Sequence, residues 1–169
     1  MSIKFTFVHI CAGIRSSRNL PPLPPGLTIL GIDPGHTTGW CKFRDQALLG
    51  RGQLNTREFD NYTVEKLREL IADTDVVVIE DYRVYRWKAR QHIGSELLTS
   101  QVIGGIEMLC SYLNSGRNIN IYKQPAHLAK GFVTDTKLHE WGFYVRGNKH
   151  SNDAVRHACY WQLFNKAGG

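Results

Sequence analysis

The sequence predicts an α/β domain in which a meander of antiparallel strands passes into parallel strands that alternate with helices. Residues 28–32, 40–43 and 47–54 are short β-patterned stretches, the last two joined by a turn at 44–46. Beyond residue 61, helical spacing alternates with compact apolar runs. Of these, Val76-Val77-Val78-Ile79 is too short for a helix and apolar throughout, as in a central strand covered on both faces. That order of elements describes a sheet flanked by helices.

Each element has its own signal. Val64, Leu67, Leu70 and Ile71 fall at helical spacing and predict a helix over 62–72. The apolar run sets a strand at 75–80, and a long helix follows over 95–113. A further strand is expected at 118–122, and Pro125 is placed to open a helix as its first residue. The last helix is expected over 151–165, with Ala154, Val155, Ala158 and Leu163 among its buried positions. One compositional break interrupts the chain: Pro21-Pro22-Leu23-Pro24-Pro25 removes backbone donors and favours extended geometry. It divides an N-terminal extension, 1–26, from a main domain, 27–169. Within the extension, Ile3, Phe5 and Phe7 alternate with polar residues as in an edge strand; a loosely attached leader is the alternative.

Composition narrows the function classes. The chain has 169 residues, enough for one compact core, and 42% of them are hydrophobic, which argues against disorder. Lys and Arg total 21 against 15 Asp and Glu, and the sequence pI is near 9.3. That balance suits a polyanionic partner, nucleic acid being the usual one, or ordinary solubility charge. The cysteines Cys11, Cys41, Cys110 and Cys159 form no C-x-x-C pair and read as reduced thiols of a cytoplasmic protein. No apolar run approaches the ~20 residues of a membrane span, so no membrane partner is expected.

Three acids stand where this architecture gathers functional groups, at strand ends beside helix starts. Asp33 follows the first strand, Glu80 ends the apolar run, and Asp153 is expected in the first turn of the last helix, three residues after His150. Each has a plain structural reading: a turn at Asp33-Pro34-Gly35, an ion pair for Glu80, helix-dipole compensation for Asp153 and polar surface for His150. Together, clustered carboxylates repel unless a cation neutralises them, and hard divalent ions take such oxygen ligands. Two ions about 3.5–4 Å apart can activate water and stabilise the leaving oxygen of a phosphodiester.

Four motifs in order give a resemblance. Leu30-Gly31-Ile32-Asp33-Pro34-Gly35 resembles the opening motif of the RuvC-type Holliday junction resolvases, and Val77-Val78-Ile79-Glu80 their second. Gln124-Pro125-Ala126 with Lys130 resembles their Pro-Ala segment leading to a lysine, and His150-Ser151-Asn152-Asp153-Ala154 their final motif. Gly35-His36-Thr37-Thr38-Gly39-Trp40 and Arg156-His157 look more like the phage-type branch, which would act in the host cytoplasm. The resemblance implies an RNase H-like mixed five-stranded sheet, three antiparallel strands then parallel ones, flanked by helices. It also implies an endonuclease that binds two Mg²⁺ ions through Asp33, Glu80 and Asp153, with Mn²⁺ also supporting activity. His150 stands where some members carry a fourth carboxylate; it either binds metal, suiting Mn²⁺, or positions water. The implied partners are branched DNA, above all four-way junctions, and a second copy of the chain. The chain departs from the pattern at Arg83, where the family often has Phe, and at Gly131-Phe132-Val133-Thr134-Asp135-Thr136-Lys137, which replaces a Gly-rich stretch.

Directly after Glu80-Asp81 comes Tyr82-Arg83-Val84-Tyr85-Arg86-Trp87-Lys88-Ala89-Arg90. Here Arg83, Arg86, Lys88 and Arg90 are expected to meet phosphates, while Tyr82 and Tyr85 stack on unpaired bases. A solvated loop whose aromatics pack on the body is the alternative. Lys123, Lys130 and Lys137 would extend the track. For a homodimer, the expected interface is the long helix, through Ile103, Ile106, Leu109 and Cys110, with Gly104-Gly105 allowing close approach. Other readings stay open: a YqgF-type nuclease of structured RNA, a fork or flap nuclease, a nucleotide-binding module of the actin and sugar-kinase type, and a junction-binding protein that does not cut.

Overall fold

A computed structural model describes residues 6–81, 93–114 and 118–165, with backbone alone over 93–97. Helix α1 (Phe7–Ser17) precedes a hairpin-rich start to the sheet, β1 (Thr28–Asp33), β2 (Thr37–Arg44) and β3 (Ala47–Asn55). Then follow α2 (Asn61–Ile71), β4 (Val76–Asp81), α3 (Ile93–Leu113), β5 (Asn120–Pro125), α4 (Ala126–Phe132), α5 (Asp135–Glu140) and α6 (Lys149–Phe164). The five strands form one sheet in the order β3-β2-β1-β4-β5. Pairing is antiparallel from β3 through β1 and parallel from β1 through β5, as the strand pattern predicts. The turn between β2 and β3 lies at Asp45-Gln46, both at positive φ (50° and 64°), a pairing that matches the twist of a two-residue hairpin.

Two apolar layers flank the sheet, and β4 serves both. Val76 and Val78 join Ile29, Phe43, Ala154, Ala158 and Trp161 on the α6 face. Val77 and Ile79 join Leu30, Ile32, Leu67, Ile71 and Ile106 on the α2–α3 face. The run is therefore apolar because it is central, with every side chain in one layer or the other.

Several sequence expectations change here. From Phe7 onward the N-terminal segment is helical and docked: Phe7, Cys11 and Arg15, four residues apart, form the buried face of α1 and pack it against α6, while Ile3 and Phe5, on which the edge-strand reading also rested, lie outside the described residues. The Arg15 guanidinium donates to the carbonyls of Gln162 (2.8 Å) and Asn165 (2.9 Å), satisfying acceptors that the end of α6 would otherwise leave open. Pro125 closes β5, so α4 starts at Ala126. The stripe proposed for a dimer is taken up inside the chain. Ile106, Leu109 and Cys110 are buried against the sheet, and Gly105 lies against the Phe59 ring, while Gly104, Met108 and Tyr112 form the exposed side of α3. All four cysteines are free and buried. No helix among the described residues is long and apolar enough to cross a membrane.

The feature that positions the site is the seat of α6 on β1 and β2. A Cβ at Gly31 would lie 2.5 Å from the Ala154 carbonyl oxygen, and one at Gly39 only 2.0 Å from that of His150. These glycines let the first turns of α6 descend onto the strands. Arg51 from β3 then fastens the helix start, donating to Ser151 Oγ (2.9 Å) and to the Phe143 carbonyl and Asn152 side chain. Gly39→Ala should force the helix start off the sheet and cost about 1–3 kcal/mol, as overpacking does. Thermal unfolding checks it; an unchanged midpoint would mean that the contact yields without cost.

Candidate active site

The sheet register assembles the site before any side chain is considered. Ile32 pairs with Ile79 in the parallel β1–β4 ladder, so Asp33 and Glu80 come next on neighbouring strands; Glu80 in turn pairs with Gln124 on β5. Alternation directs all three toward α6, because Gly31, Val78 and Tyr122, two residues earlier, face that helix or its core layer. Helix α6 crosses above this row and adds Asp153 and, one turn on, His157. The helix starts two residues earlier than expected, so Asp153 lies in its second turn rather than its first. Asp33 and Asp153 are both buried, each 6% exposed.

Local contacts hold the first loop in place. Thr38 and Thr56 hydroxyls lie 2.8 Å apart and both reach the Gly35 carbonyl, fixing the turn that follows Asp33. His150 at the start of α6 places Nδ1 2.9 Å from Asp33 Oδ2, with 42% of its side chain exposed.

Charge is compensated within the cluster. The ammonium of Lys130, from α4, lies 3.0 Å from Glu80 Oε2 and 3.2 Å from Asp153 Oδ2. Burial works against its charge, but the hydrogen bond to Glu80 and the neighbouring carboxylates outweigh that and raise its pKa. Arg156 donates to both Asp153 and Asp135, and its Nε donates to the Val133 carbonyl (2.9 Å). Asp33 and Glu80 bear directly on each other's charge. Burial, then the charge of Glu80 and the bond to it, push Asp33 up to about 8 despite Lys130. Burial pushes Glu80 up as well, but hydrogen bonds from His157, Asp33 and Lys130 prevail and bring it down to about 2.

Sequence reasoning found Asp33, Glu80, His150, Asp153 and Lys130, which the structure brings together. Lys123 instead pairs with Glu107 of α3 (2.8 Å), and Lys137 donates to the Phe132 carbonyl (2.7 Å) with its ammonium 3.5 Å from the Phe132 ring centre. Tyr82, Arg83, Tyr85, Arg86, Lys88 and Arg90 lie outside the described residues. Arg156, His157 and Gln124 were named within the motifs but given no role at the site. The i+3 spacing of Arg156 from Asp153 was available as a signal; nothing local announced the other two.

The donor set is one that hard divalent cations take: carboxylate oxygens, crowded enough that the Asp33 carboxyl is pushed up to about 8. Among the described residues no group of three His, Cys, Asp or Glu converges closely enough to hold an ion as arranged. The cationic position between Glu80 and Asp153 belongs to Lys130.

The strand order β3-β2-β1-β4-β5 with helices on both faces is an RNase H-like fold. Over 81% of this chain and 93% of the other, the structure is similar to T. thermophilus RuvC in complex with a Holliday junction substrate, with a TM-score of 0.61 and 15% sequence identity. The yeast mitochondrial Holliday junction resolvase Ydc2 also matches, at a TM-score of 0.47 and 15% identity over 93% of this chain and 91% of that one. No protein-family model and no curated protein sequence matches the chain.

The opposite shifts of the two acids give opposite stability effects in metal-free protein. Asp33 is raised from 3.8 to about 8, so its ionisation opposes folding increasingly as pH rises through that window. Asp33→Asn should therefore stabilise, by an amount that grows from pH 4 to pH 8, each kcal/mol appearing as about 2–4 °C in Tm. Glu80 is lowered from 4.5 to about 2, so its contribution is present above pH 4.5 and fades toward pH 2. Glu80→Gln should destabilise at neutral pH and match the wild type in strong acid. Melting curves across pH in chelator test both signs; differences independent of pH would contradict the coupling.

Proposed function

We propose that this chain is a metal-dependent, structure-specific DNA endonuclease that cuts branched DNA, four-way junctions foremost, by phosphodiester hydrolysis. The observation that carries this reading is the row of buried Asp33 and partly buried Glu80 beneath buried Asp153, on a fold similar to that of RuvC. Asp33, Glu80 and Asp153 would hold Mg²⁺ or Mn²⁺, two ions per site. Bound there, such ions activate water and stabilise a leaving oxygen. The protein's own groups prepare the place. Arg156 anchors Asp153, Lys130 supplies a cation at the site's rim, and His150 sits half-exposed beside Asp33, where it can orient a water or join the ligands. Arg83, Arg86, Lys88 and Arg90, with Tyr82 and Tyr85, follow Glu80 in sequence and are read as the DNA track. Lys123 and Lys137 are read as its outlying members.

The test is incubation with four-way junction, fork, flap, plain duplex and structured RNA, with and without Mg²⁺ or Mn²⁺. Metal-dependent nicking of the junction with duplex left intact is expected. Asp33→Asn, Glu80→Gln and Asp153→Asn should cut at background level while still binding junctions. His150→Asp should stay active with Mg²⁺, and His150→Ala should lose most activity. Combined Arg86→Ala, Lys88→Ala and Arg90→Ala should weaken binding and lower its salt slope by about one unit per lost phosphate contact. Wild-type cutting by folded Glu80→Gln, or cleavage of RNA alone, would overturn the reading.

We also read the working unit as a homodimer, since a junction is resolved by paired nicks and one domain carries one site. The face left for it on α3 is the exposed side with Gly104, Met108 and Tyr112, the last two 67% and 73% exposed. Sedimentation with and without junction DNA should show a dimer, and Met108→Asp should weaken it. A monomer that still makes paired nicks would exclude this arrangement.

A further inference from the structure

We propose that His157 is a positioning residue for Glu80, and that Gln124 selects which of its ring nitrogens carries the proton. The inference rests on the reading of Glu80 as a metal ligand. His157 is fully buried, with Nε2 3.0 Å from Glu80 Oε2 and Nδ1 3.0 Å from Gln124 Nε2. A carboxylate oxygen facing a ring nitrogen accepts, so Nε2 is the donor. The orientation of Gln124 is fixed independently, because its Nε2 also lies 3.3 Å from the His157 carbonyl oxygen, which only the NH₂ end can satisfy. That NH₂ presents hydrogens to Nδ1, so Nδ1 is the acceptor and the single ring proton belongs on Nε2.

The arrangement carries a cost that core packing alone does not explain. Gln124 Oε1 is buried without a hydrogen-bond partner, as is Nε1 of Trp161, on the face of the sheet whose layer includes Ile29, Val78, Ala158 and Trp161. An apolar pair would leave no such orphan. What the polar pair supplies is a rigid donor at one oxygen of Glu80. Lys130 also reaches that oxygen, but it is 39% exposed and shared with Asp153. A hydrogen-bonded partner of this kind orients a ligating carboxylate, and its loss typically costs about 10–100-fold in metal affinity.

The experiment uses the full chain and Mn²⁺ as probe. In metal-free protein, ¹⁵N shifts of the His157 ring should show Nε2 protonated and Nδ1 not, and Glu80→Gln should move the Nε2 signal. Mn²⁺ binding, followed by the EPR signal of the free ion, should weaken about 10–100-fold in His157→Met, which keeps volume but has no donor. His157→Gln, whose amide can reach Glu80, should restore most of the affinity. The Mn²⁺ concentration for half-maximal cleavage should rise in His157→Met more than the rate at saturating metal falls. Should His157→Met fail to fold, Gln124→Met tests the same point: it leaves the ring in place, and both tautomers should appear with weakened Mn²⁺ binding. Wild-type affinity in folded His157→Met, or a ring protonated on Nδ1, would overturn the positioning role alone. A wild-type protein that binds no Mn²⁺ would overturn the metal reading of Glu80 and this role with it.

Discussion

Acidic side chains packed at the ends of two parallel strands must be neutralised, and the rest of the site follows from how this chain does it. Asp33 and Glu80 come side by side because β1 and β4 are in parallel register, and Asp153 descends onto them from α6. Such a group is unfavourable as separate anions in a buried place. The chain answers with a proton retained on Asp33, the Lys130 ammonium between Glu80 and Asp153, and the Arg156 guanidinium on Asp153. Each partner comes from a different element, so α4, α6, β1 and β4 are tied to one another through charge as well as through the apolar layer.

Close approach makes that tie possible. Helix α6 is seated by glycines as well as by its apolar face, with Gly31 and Gly39 opening space for its backbone carbonyls. The Gly31 of the opening motif thus serves helix packing, while Asp33, two residues later on the same face, serves the site. Arg51 holds the start of α6 from β3, and Arg15 satisfies its far end from α1. The N-terminal helix is therefore coupled to the helix that carries Asp153, although its own residues stay distant from the acids.

What could be read from sequence was whatever depends on near neighbours. The strand at β4 was legible because four apolar residues stop at Glu80, and a strand buried on both faces has no other pattern. Asp33 and Asp153 stood out because a turn motif and a helix start are local features. The pairing of Glu80 with His157 spans 77 positions and that of Gln124 with His157 spans 33, and no local pattern encodes either. Arg156-His157 stood in the sequence only as a resemblance to the phage-type branch, whereas the helix buries His157 and leaves the arginine at its edge. At the N-terminus, Ile3 and Phe5 lie outside the described residues, but Phe7 belongs to a helix whose governing spacing is Phe7, Cys11, Arg15, with an arginine in a place expected to be apolar. Helix α5 went unread because its six residues rest on one cap, Thr134, which accepts from the Lys137 amide.

The same compensation bears on how the site would accept a cation. An ion entering among Asp33, Glu80 and Asp153 competes with the proton on Asp33 and with the Lys130 ammonium, both of which already balance charge there. Arg156 is held by Asp135 and by the Val133 carbonyl as well as by Asp153, so it has reasons to stay. Among the described residues Lys130 forms ion pairs with the two carboxylates alone, and it is the more exposed of the two bases. Of the compensating groups, it is the one whose displacement breaks the fewest other bonds. On the proposed reading, a cation gained among the acids would leave the Lys130 ammonium free to meet an anion at the rim, so charge balance would link the two events.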